Sequence, residues 1–198
     1  MEFKVSNITV YGLERAIKAS GNPMRTEIDT SDCSEKDYLR ASKLGSAHSG
    51  EGHDNFLKGI LVHFDVIAPL YWWKQAQRYH WLDFVSSQST MHCLLKFDVK
   101  KQCVKETNPE IIKILDQMVK EFNQLPLDDQ NRPQRWRALV ASLPCGFCLG
   151  ATMTTNYQQL KTIYNQRRDH KLEEWHVFCR TLLEKLPRFV ELTGVKPY

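Results

Sequence analysis

The stretch Ile60-Leu61-Val62-His63-Phe64-Asp65-Val66-Ile67 decides the fold class of this chain. Every second residue from Ile60 to Val66 is apolar, whereas the residues between them include His63 and Asp65. Side chains of a strand point to opposite faces in turn, so a period of two predicts a strand with one apolar and one mixed face. The chain therefore contains a sheet that buries one of its faces.

Upstream of this strand the sequence predicts a second strand and two helices. Residues 3–11 are rich in β-branched and aromatic types, which favour strands. A short helix is predicted over 13–19, because Ser20-Gly21-Asn22-Pro23 is typical of a helix end. Another is predicted over 36–44. The Gly-rich segment 45–52 then predicts a mobile loop.

The clearest helix downstream is predicted over 109–125. The side chain of Asn108 can accept a hydrogen bond from a free N–H of the first turn, and Pro109 has no N–H to leave unsatisfied there. Apolar residues then recur at spacings of four and three, which predicts one buried stripe. That stripe comprises Ile111, Leu115, Met118, Phe122 and Leu125.

Further helices are predicted over 72–79, 132–143, 156–168 and 173–186. The last of these directs Trp175, Phe178, Leu182 and Leu186 inward. Residues 145–155 are an apolar strand or a buried helix, which periodicity cannot separate. Residues 84–91 form a segment of small polar residues. We expect one α+β domain over residues 1–198, with helix 109–125 packed on a sheet that contains 3–11 and 59–67.

Composition narrows the class of protein. A hydrophobic content of 42% describes a packed chain, and a net charge of +4 without a concentrated basic stripe argues against nucleic acid as a partner. No apolar run approaches the roughly 20 residues of a spanning helix, and the first residues lack the pattern of a signal peptide. The six cysteines are then most simply thiols, and the expected location is cytoplasmic.

Three short clusters have both a chemical and a structural interpretation. The Cys145-Gly146-Phe147-Cys148 segment has the spacing of a redox couple or half a zinc site, but lacks a second pair, so we expect buried structural thiols. His170 and Glu174, four apart on a helix, suit a metal or a charged helix face. Arg167 and Arg168 suit a phosphate or a solvated helix end. We expect no metal.

The stretch 79–92 resembles the signature R-H-R-x-x-S-x-N-E-Q-S-x-R-Y of the flavin-dependent thymidylate synthases. His80, Gln88 and Ser89 match that signature without gaps, and Ser86 is a mild change from Asn. Its three arginines are replaced by Tyr79, Trp81 and Met91, and its first serine by Phe84, while His92 takes the place of its tyrosine.

Two further blocks agree with that family in order and spacing. Leu143-Pro144 precedes Asn156 by twelve residues, as the family's Leu-Pro precedes its N-L-R-S-L motif. In the same alignment, Arg167 matches the arginine that ends the next helix of the family, and Asp169 matches an aspartate just after that helix. Upstream, residues 52–56 resemble E-H-x-x-F, with Gly52 in place of the glutamate.

The resemblance implies a helix-rich α+β subunit with a mostly antiparallel sheet, assembled as a homotetramer. It implies FAD as cofactor, a pyrimidine nucleotide (dUMP) as substrate, and NADPH and methylenetetrahydrofolate as further reactants of an active enzyme. Carried over, Gln88 and Ser89 are the catalytic residues and face the nucleotide together with Arg167. His53, His80, Ser86 and Asn156 bind the flavin.

The departures from the family predict weak or absent thymidylate synthesis. A phosphate monoester is held by charge-assisted hydrogen bonds of about 1.5–3 kcal/mol each, and Met91 and Gln158 replace arginines that make such bonds. Lys74, Arg78 and Arg168 stand near enough in sequence to compensate. The alternative is a re-purposed scaffold that acts as an interaction protein.

Overall fold

The alternating stretch forms the second strand of a four-stranded sheet, as predicted. The computed structural model describes residues 1–48 and 50–198. The strands are β1 Lys4–Tyr11, β2 Leu61–Pro69, β3 Asp83–Ser87 and β4 Cys148–Asn156. The helices are α1 Leu13–Ala19, α2 Glu35–Gly45, α3 Leu70–Ala76, α4 Thr90–Cys93, α5 Val99–Gln102, α6 Pro109–Gln124, α7 Arg132–Ala141, α8 Tyr157–Arg167, α9 Glu173–Lys185 and α10 Phe189–Thr193. Short 3-10 helices cover Asn22–Met24, Asn55–Gly59 and Leu94–Lys96.

The sheet has the order β1-β2-β4-β3, and every neighbouring pair is antiparallel. Strand β4 pairs with β2 along its whole length, from Leu61 opposite Asn156 to Pro69 opposite Cys148. This pairing decides the ambiguity over 145–155 in favour of a strand. The α+β class with an antiparallel sheet is confirmed.

One face of the sheet carries the main core. Phe64 lies opposite Met153 and Val66 opposite Ala151, and all four side chains are buried. The inward residues of α9 cover them, as predicted: the rings of Phe178 and Phe64 lie 5.8 Å apart. Each large apolar side chain buried in this way contributes about 1.5–3 kcal/mol relative to exposure, so the pairing register of β2 is strongly specified.

The opposite face of the sheet is less buried. Its residues on β2 and β4 include His63, Asp65, Thr152 and Thr154, which are half-buried rather than buried. An antiparallel sheet commonly leaves one face polar in this way. We call this surface the open face.

Helix α6 begins as predicted, with the Asn108 side chain accepting a hydrogen bond from the Glu110 N–H at 2.9 Å. The expectation that it packs on the sheet is wrong. Its buried residues are Leu115, Val119 and Phe122, which join α5 and α7 in a second core apart from the main one. The predicted stripe is rotated as a result: Ile111 is exposed, and Met118 and Leu125 are half-buried.

Strand β3 was not apparent from the sequence. Its five residues are all exposed, because it forms the edge of the sheet and pairs with β4 alone. A bulge between Phe84 and Ser86 breaks its register. Serine and aspartate are poor strand formers, so only the pairing with β4 makes this segment extended. Among the described helices, none is long and apolar enough to cross a bilayer.

Candidate functional site

Strand β4 separates the predicted site residues into two groups. Ser86 lies opposite Thr152, and Gln88 follows beside Gly150, near the start of β4. Asn156 stands at the other end, six residues beyond Gly150. At roughly 3.4 Å per residue, about 20 Å of strand separates Gln88 from Asn156. One subunit therefore holds two candidate sites rather than one.

The first site is a cavity of about 530 Å³ on the open face, which we call the sheet cleft. Gln88 fixes its edge by a double contact: its backbone N–H donates to the Gly150 carbonyl at 2.8 Å, and its Oε1 accepts from the Gly150 N–H at 2.7 Å. The amide nitrogen of Gln88 has no acceptor among the described residues and remains a donor. The residues lining it are Ser6, Asn7, Asp65, Val66, Ile67, Ser86, Ser87, Gln88, Gly150, Ala151 and Thr152.

Asp65 supplies the charge of the sheet cleft. The Thr152 hydroxyl donates to its Oδ1 and the Asn7 amide to its Oδ2, both at 2.6 Å. These two hydrogen bonds, that from Thr152 first, lower the pKa of Asp65 below its ordinary value. Neither partner is a cation, and the described lining contains no lysine or arginine. The sheet cleft is thus an acidic site rich in hydroxyl and amide groups.

The second site is a cavity of about 450 Å³ beside the start of α8, which we call the helix cleft. Asn156 ends β4 here and caps α8, since its Oδ1 accepts from the Gln159 N–H at 2.9 Å. The Tyr157 N–H is bound to the Ile60 carbonyl. The residues lining the helix cleft are Gly50, Gly52, Asp54, Asn55, Lys58, Trp81, Gln158, Gln159 and Thr162.

A buried ion pair forms the floor of the helix cleft. Lys161 donates to Asp54 Oδ2 at 2.9 Å, and their side chains are 5% and 1% exposed. The same ammonium donates to the carbonyls of Gly45 and Ala47 at 2.8 and 2.6 Å. Gln158 donates its amide to Asp54 Oδ1 at 2.8 Å. All three protons of the lysine are thus used within the protein.

Trp81 forms the wall of the helix cleft and is 58% exposed, although tryptophan is usually well buried. Its carbonyl accepts a hydrogen bond from the Thr155 hydroxyl at 2.6 Å, which ties this segment to β4. The His80 ring lies edge-on to it at 4.9 Å. The indole is thus held in place at its backbone while its ring is exposed.

Arg167 lines neither cleft. Its Nε donates to the Tyr79 hydroxyl at 2.7 Å and its terminal nitrogen to Gln75 Oε1 at 3.0 Å. The guanidinium carbon lies 4.8 Å from the centre of the Trp175 ring. Contacts with an aromatic ring and two neutral acceptors fix the arginine inside the subunit. The resemblance places Arg167 at the nucleotide together with Gln88 and Ser89, and that role remains a prediction.

The remaining predicted residues lie at the surface around the two clefts. His53 and His80 are exposed near the helix cleft, between or beside residues that line it. Ser89 is half-buried at the start of α4, just beyond the sheet cleft, and Met91 is 56% exposed. Their roles in catalysis or flavin binding remain predictions.

The other short clusters are occupied by structural contacts. Cys148 is buried, as expected, and burial raises the pKa of its thiol to about 11. Cys145 is exposed, so the expectation of a buried thiol is wrong for this residue. Glu174 accepts a hydrogen bond from the Tyr71 hydroxyl, and His170 Nδ1 accepts from the Leu172 N–H. No group of three or more metal-ligating side chains comes together within residues 1–48 and 50–198.

Sequence reasoning missed the residues that shape both clefts. Asp54 and Lys161 are 107 positions apart, so nothing local indicates that they pair. Asp65 was visible as a polar residue on the mixed face of β2. Its neighbours Asn7 and Thr152 depend on the pairing of three strands. The sequence marked Trp81 as a replaced arginine and as an aromatic residue able to stack on a flat ring, but it did not show that Trp81 borders a cavity.

Comparison with known proteins connects this geometry to one fold. No family model and no curated protein matches the chain. Among solved structures, the flavin-dependent thymidylate synthase of Helicobacter pylori, complexed with FAD and dUMP, matches with a TM-score of 0.70 and 15% identity over 98% of this chain and 97% of that one. A second structure of the Helicobacter pylori enzyme with FAD and dUMP gives a TM-score of 0.69, 15% identity, and 98% and 96% coverage. The chain therefore has the fold of the flavin-dependent thymidylate synthases.

Proposed function

We propose that this protein is a diverged relative of the flavin-dependent thymidylate synthases that binds a flavin or a pyrimidine nucleotide and makes thymidylate weakly or not at all. The assembly is a homotetramer in the cytoplasm. NADPH and methylenetetrahydrofolate take part only if the protein still synthesises thymidylate. The proposal combines the similarity to enzymes solved with FAD and dUMP with the losses in the signature.

One observation carries the loss of activity: the side chains at two positions where the family has arginines are engaged within the subunit. Gln158, which replaces an arginine, is bound to Asp54. Arg167 is bound to Tyr79 and Gln75. A nucleotide misplaced by about 1 Å can lose a factor of roughly 100 in rate, so a missing phosphate grip is sufficient to suppress synthesis.

The clefts of one subunit fit part of FAD. Their size is typical of small-molecule sites, which span about 300–1,000 Å³, and Trp81 offers a surface for a planar ring. The diphosphate of FAD does not fit, because Lys58 is the one cation among the described lining residues of either cleft. Lys74 and Arg78 are exposed and line neither cleft, whereas Arg168 is bound to Asp169 and to the Lys196 carbonyl.

Rescue of a thymidine-requiring strain tests the loss of synthesis. We expect no growth without thymidine, while calorimetric titration of the purified protein with FAD, dUMP and dTMP detects at least one ligand. Robust rescue that Arg167→Ala or Ser89→Ala abolishes would contradict the proposal and identify a working synthase. Absence of binding to all three at millimolar concentration would contradict the ligand-binding part.

Light scattering tests the assembly. The edge strand β3 and the segment after it expose Phe84, Val85 and Met91, a patch that a partner subunit would cover. We expect a mass near four subunits of 23.1 kDa. A monomer at micromolar concentration would exclude the tetramer.

The same patch supports a second candidate function, an interaction protein on a re-purposed scaffold. Exposed edge strands pair readily with other chains, although the bulge at Phe84/Ser86 limits such pairing here. A monomer that binds neither flavin nor nucleotide would favour this candidate over the first.

A further inference from the structure

The charges around the helix cleft decide what kind of ligand it can hold. We infer that the helix cleft takes an uncharged planar heteroaromatic ring, of the nucleobase or isoalloxazine class, stacked on Trp81, and gains no affinity from a phosphate on that ligand. The inference rests on the proposed function, in that it names the ligand class of a binding site proposed there.

Positive charge at the floor of the helix cleft is not available to a ligand. An ammonium has three protons, and those of Lys161 are used by Asp54, Gly45 and Ala47 at 2.6–2.9 Å. Asp54 cancels the charge of Lys161 at the same place. A phosphate at this floor would have to break a buried ion pair before it made its own hydrogen bonds.

The start of α8 likewise has few free N–H donors for a phosphate. Helix N-termini attract anions through their free N–H groups. Here the Tyr157 N–H is bound to the Ile60 carbonyl and the Gln159 N–H to the Asn156 side chain, which leaves the Gln158 N–H as the one unbound donor among these three. Lys58 is exposed at the rim, and a solvated lysine of this kind contributes little.

The remaining groups of the helix cleft suit a ring with hydrogen-bonding edges. Gln158 has its amide nitrogen bound to Asp54, so its Oε1 is left as an acceptor. Gln159 and Asn55 add two amides, which can both donate and accept. Amide side chains pair with the edges of nucleobases, and an exposed indole stacks on the faces of any such ring. Trp81 stands where the related signature has an arginine, so an aromatic ring occupies the position of a charge.

Calorimetric titration of the full-length protein with paired probes tests the inference: riboflavin against FMN, and deoxyuridine against dUMP. We expect the two members of the bound pair to differ by less than about threefold in Kd. A single charge-assisted hydrogen bond to phosphate would change Kd by about tenfold or more. The pair that binds identifies the ring.

Variants locate the site. Trp81→Ala should raise the Kd of the unphosphorylated probe by about tenfold, within the range expected for loss of one stacked ring. Trp81→Phe should retain most of the affinity. Lys58→Gln removes the one cation of the described lining and should leave the ratio of the two Kd values within a pair unchanged. Trp81 is exposed, so the melting temperature of each variant should stay close to that of the parent protein.

Three outcomes would overturn the inference. A phosphorylated probe that binds tenfold more tightly than its partner, or binding that Trp81→Ala leaves unchanged, overturns the inference alone and leaves the proposed function intact. Absence of binding to all four probes and to FAD and dTMP overturns both.

Discussion

The two clefts each contain one carboxylate, and the two carboxylates are held in different ways. Asp54, in the helix cleft, is 1% exposed and is bound by a buried lysine and an amide. Asp65, in the sheet cleft, is half-buried and is bound by a hydroxyl and an amide without a cation. The first is part of the core, whereas the second belongs to the surface.

This difference separates structural charge from charge that a ligand can use. A buried ion pair is costly to open, because each partner alone would be a charge without solvent. A half-exposed carboxylate with neutral donors can exchange them for water or for the hydroxyls of a ligand. The helix cleft therefore has a rigid, electrically balanced floor, and the sheet cleft an adaptable acidic one.

The largest expected effect comes from breaking the pair at the helix cleft. Lys161→Met leaves Asp54 buried without a cation, and the free energy of unfolding should fall by about 3–5 kcal/mol in urea denaturation. The double variant Lys161→Met/Asp54→Leu removes both charges and should recover most of that loss. A loss below about 1 kcal/mol in the single variant would show that the floor is open to water.

A smaller effect is expected at the edge of the sheet cleft. Gln88→Leu removes the acceptor of the Gly150 N–H, and a single hydrogen bond of this kind contributes about 0.5–1.5 kcal/mol. Hydrogen exchange at the Gly150 amide should accelerate. Gln88→Glu keeps a side-chain oxygen and is the matched control. Equal exchange in both variants would show that the side chain does not protect this amide.

The smallest effect concerns pH. The pKa of Asp65 is lowered in the folded protein, so its stabilising contribution is complete above the ordinary aspartate value of about 3.9 and is lost as the pH falls through the lower folded pKa. Thermal melts from pH 7 to pH 2 should show Thr152→Val less stable than the parent at pH 7, with the gap narrowing in acid. A gap that does not change with pH would mean that Thr152 acts through packing alone.

The fold was largely predictable where pattern and packing agree. Strands β1 and β2 and helices α6 and α9 were predicted close to their observed bounds, because capping residues and apolar periodicity act locally. The position of α6 was not, because its apolar residues suit any apolar surface, and a second core formed with α5 and α7 instead. Strand β3 has no pattern of its own and exists through its partner.

For the candidate site, the sequence supplied residue types without their partners. It marked Gln88, Ser86 and Asn156 as candidate binding residues through the family resemblance, but it could not show that β4 places about 20 Å between Gln88 and Asn156. It marked Arg167 as a cation but not that Tyr79 and Gln75 bind it. Hydrogen-bond partners remote in sequence decide whether a polar group is available.

By itself, the sequence determined the class of fold, the alternation that gives the sheet one buried and one polar face, and the loss of the signature arginines. The fold class and the two faces of the sheet depend on residue types at short spacing, because side chains return to the same face every two residues along a strand and every 3.6 along a helix. The loss of the arginines is visible from the residue types alone. The tertiary structure alone decided that Lys161 meets Asp54 and that Trp81 faces a cavity. Charges and rings acquire their function from what lies within a few ångströms in space, and chain distance does not specify those neighbours.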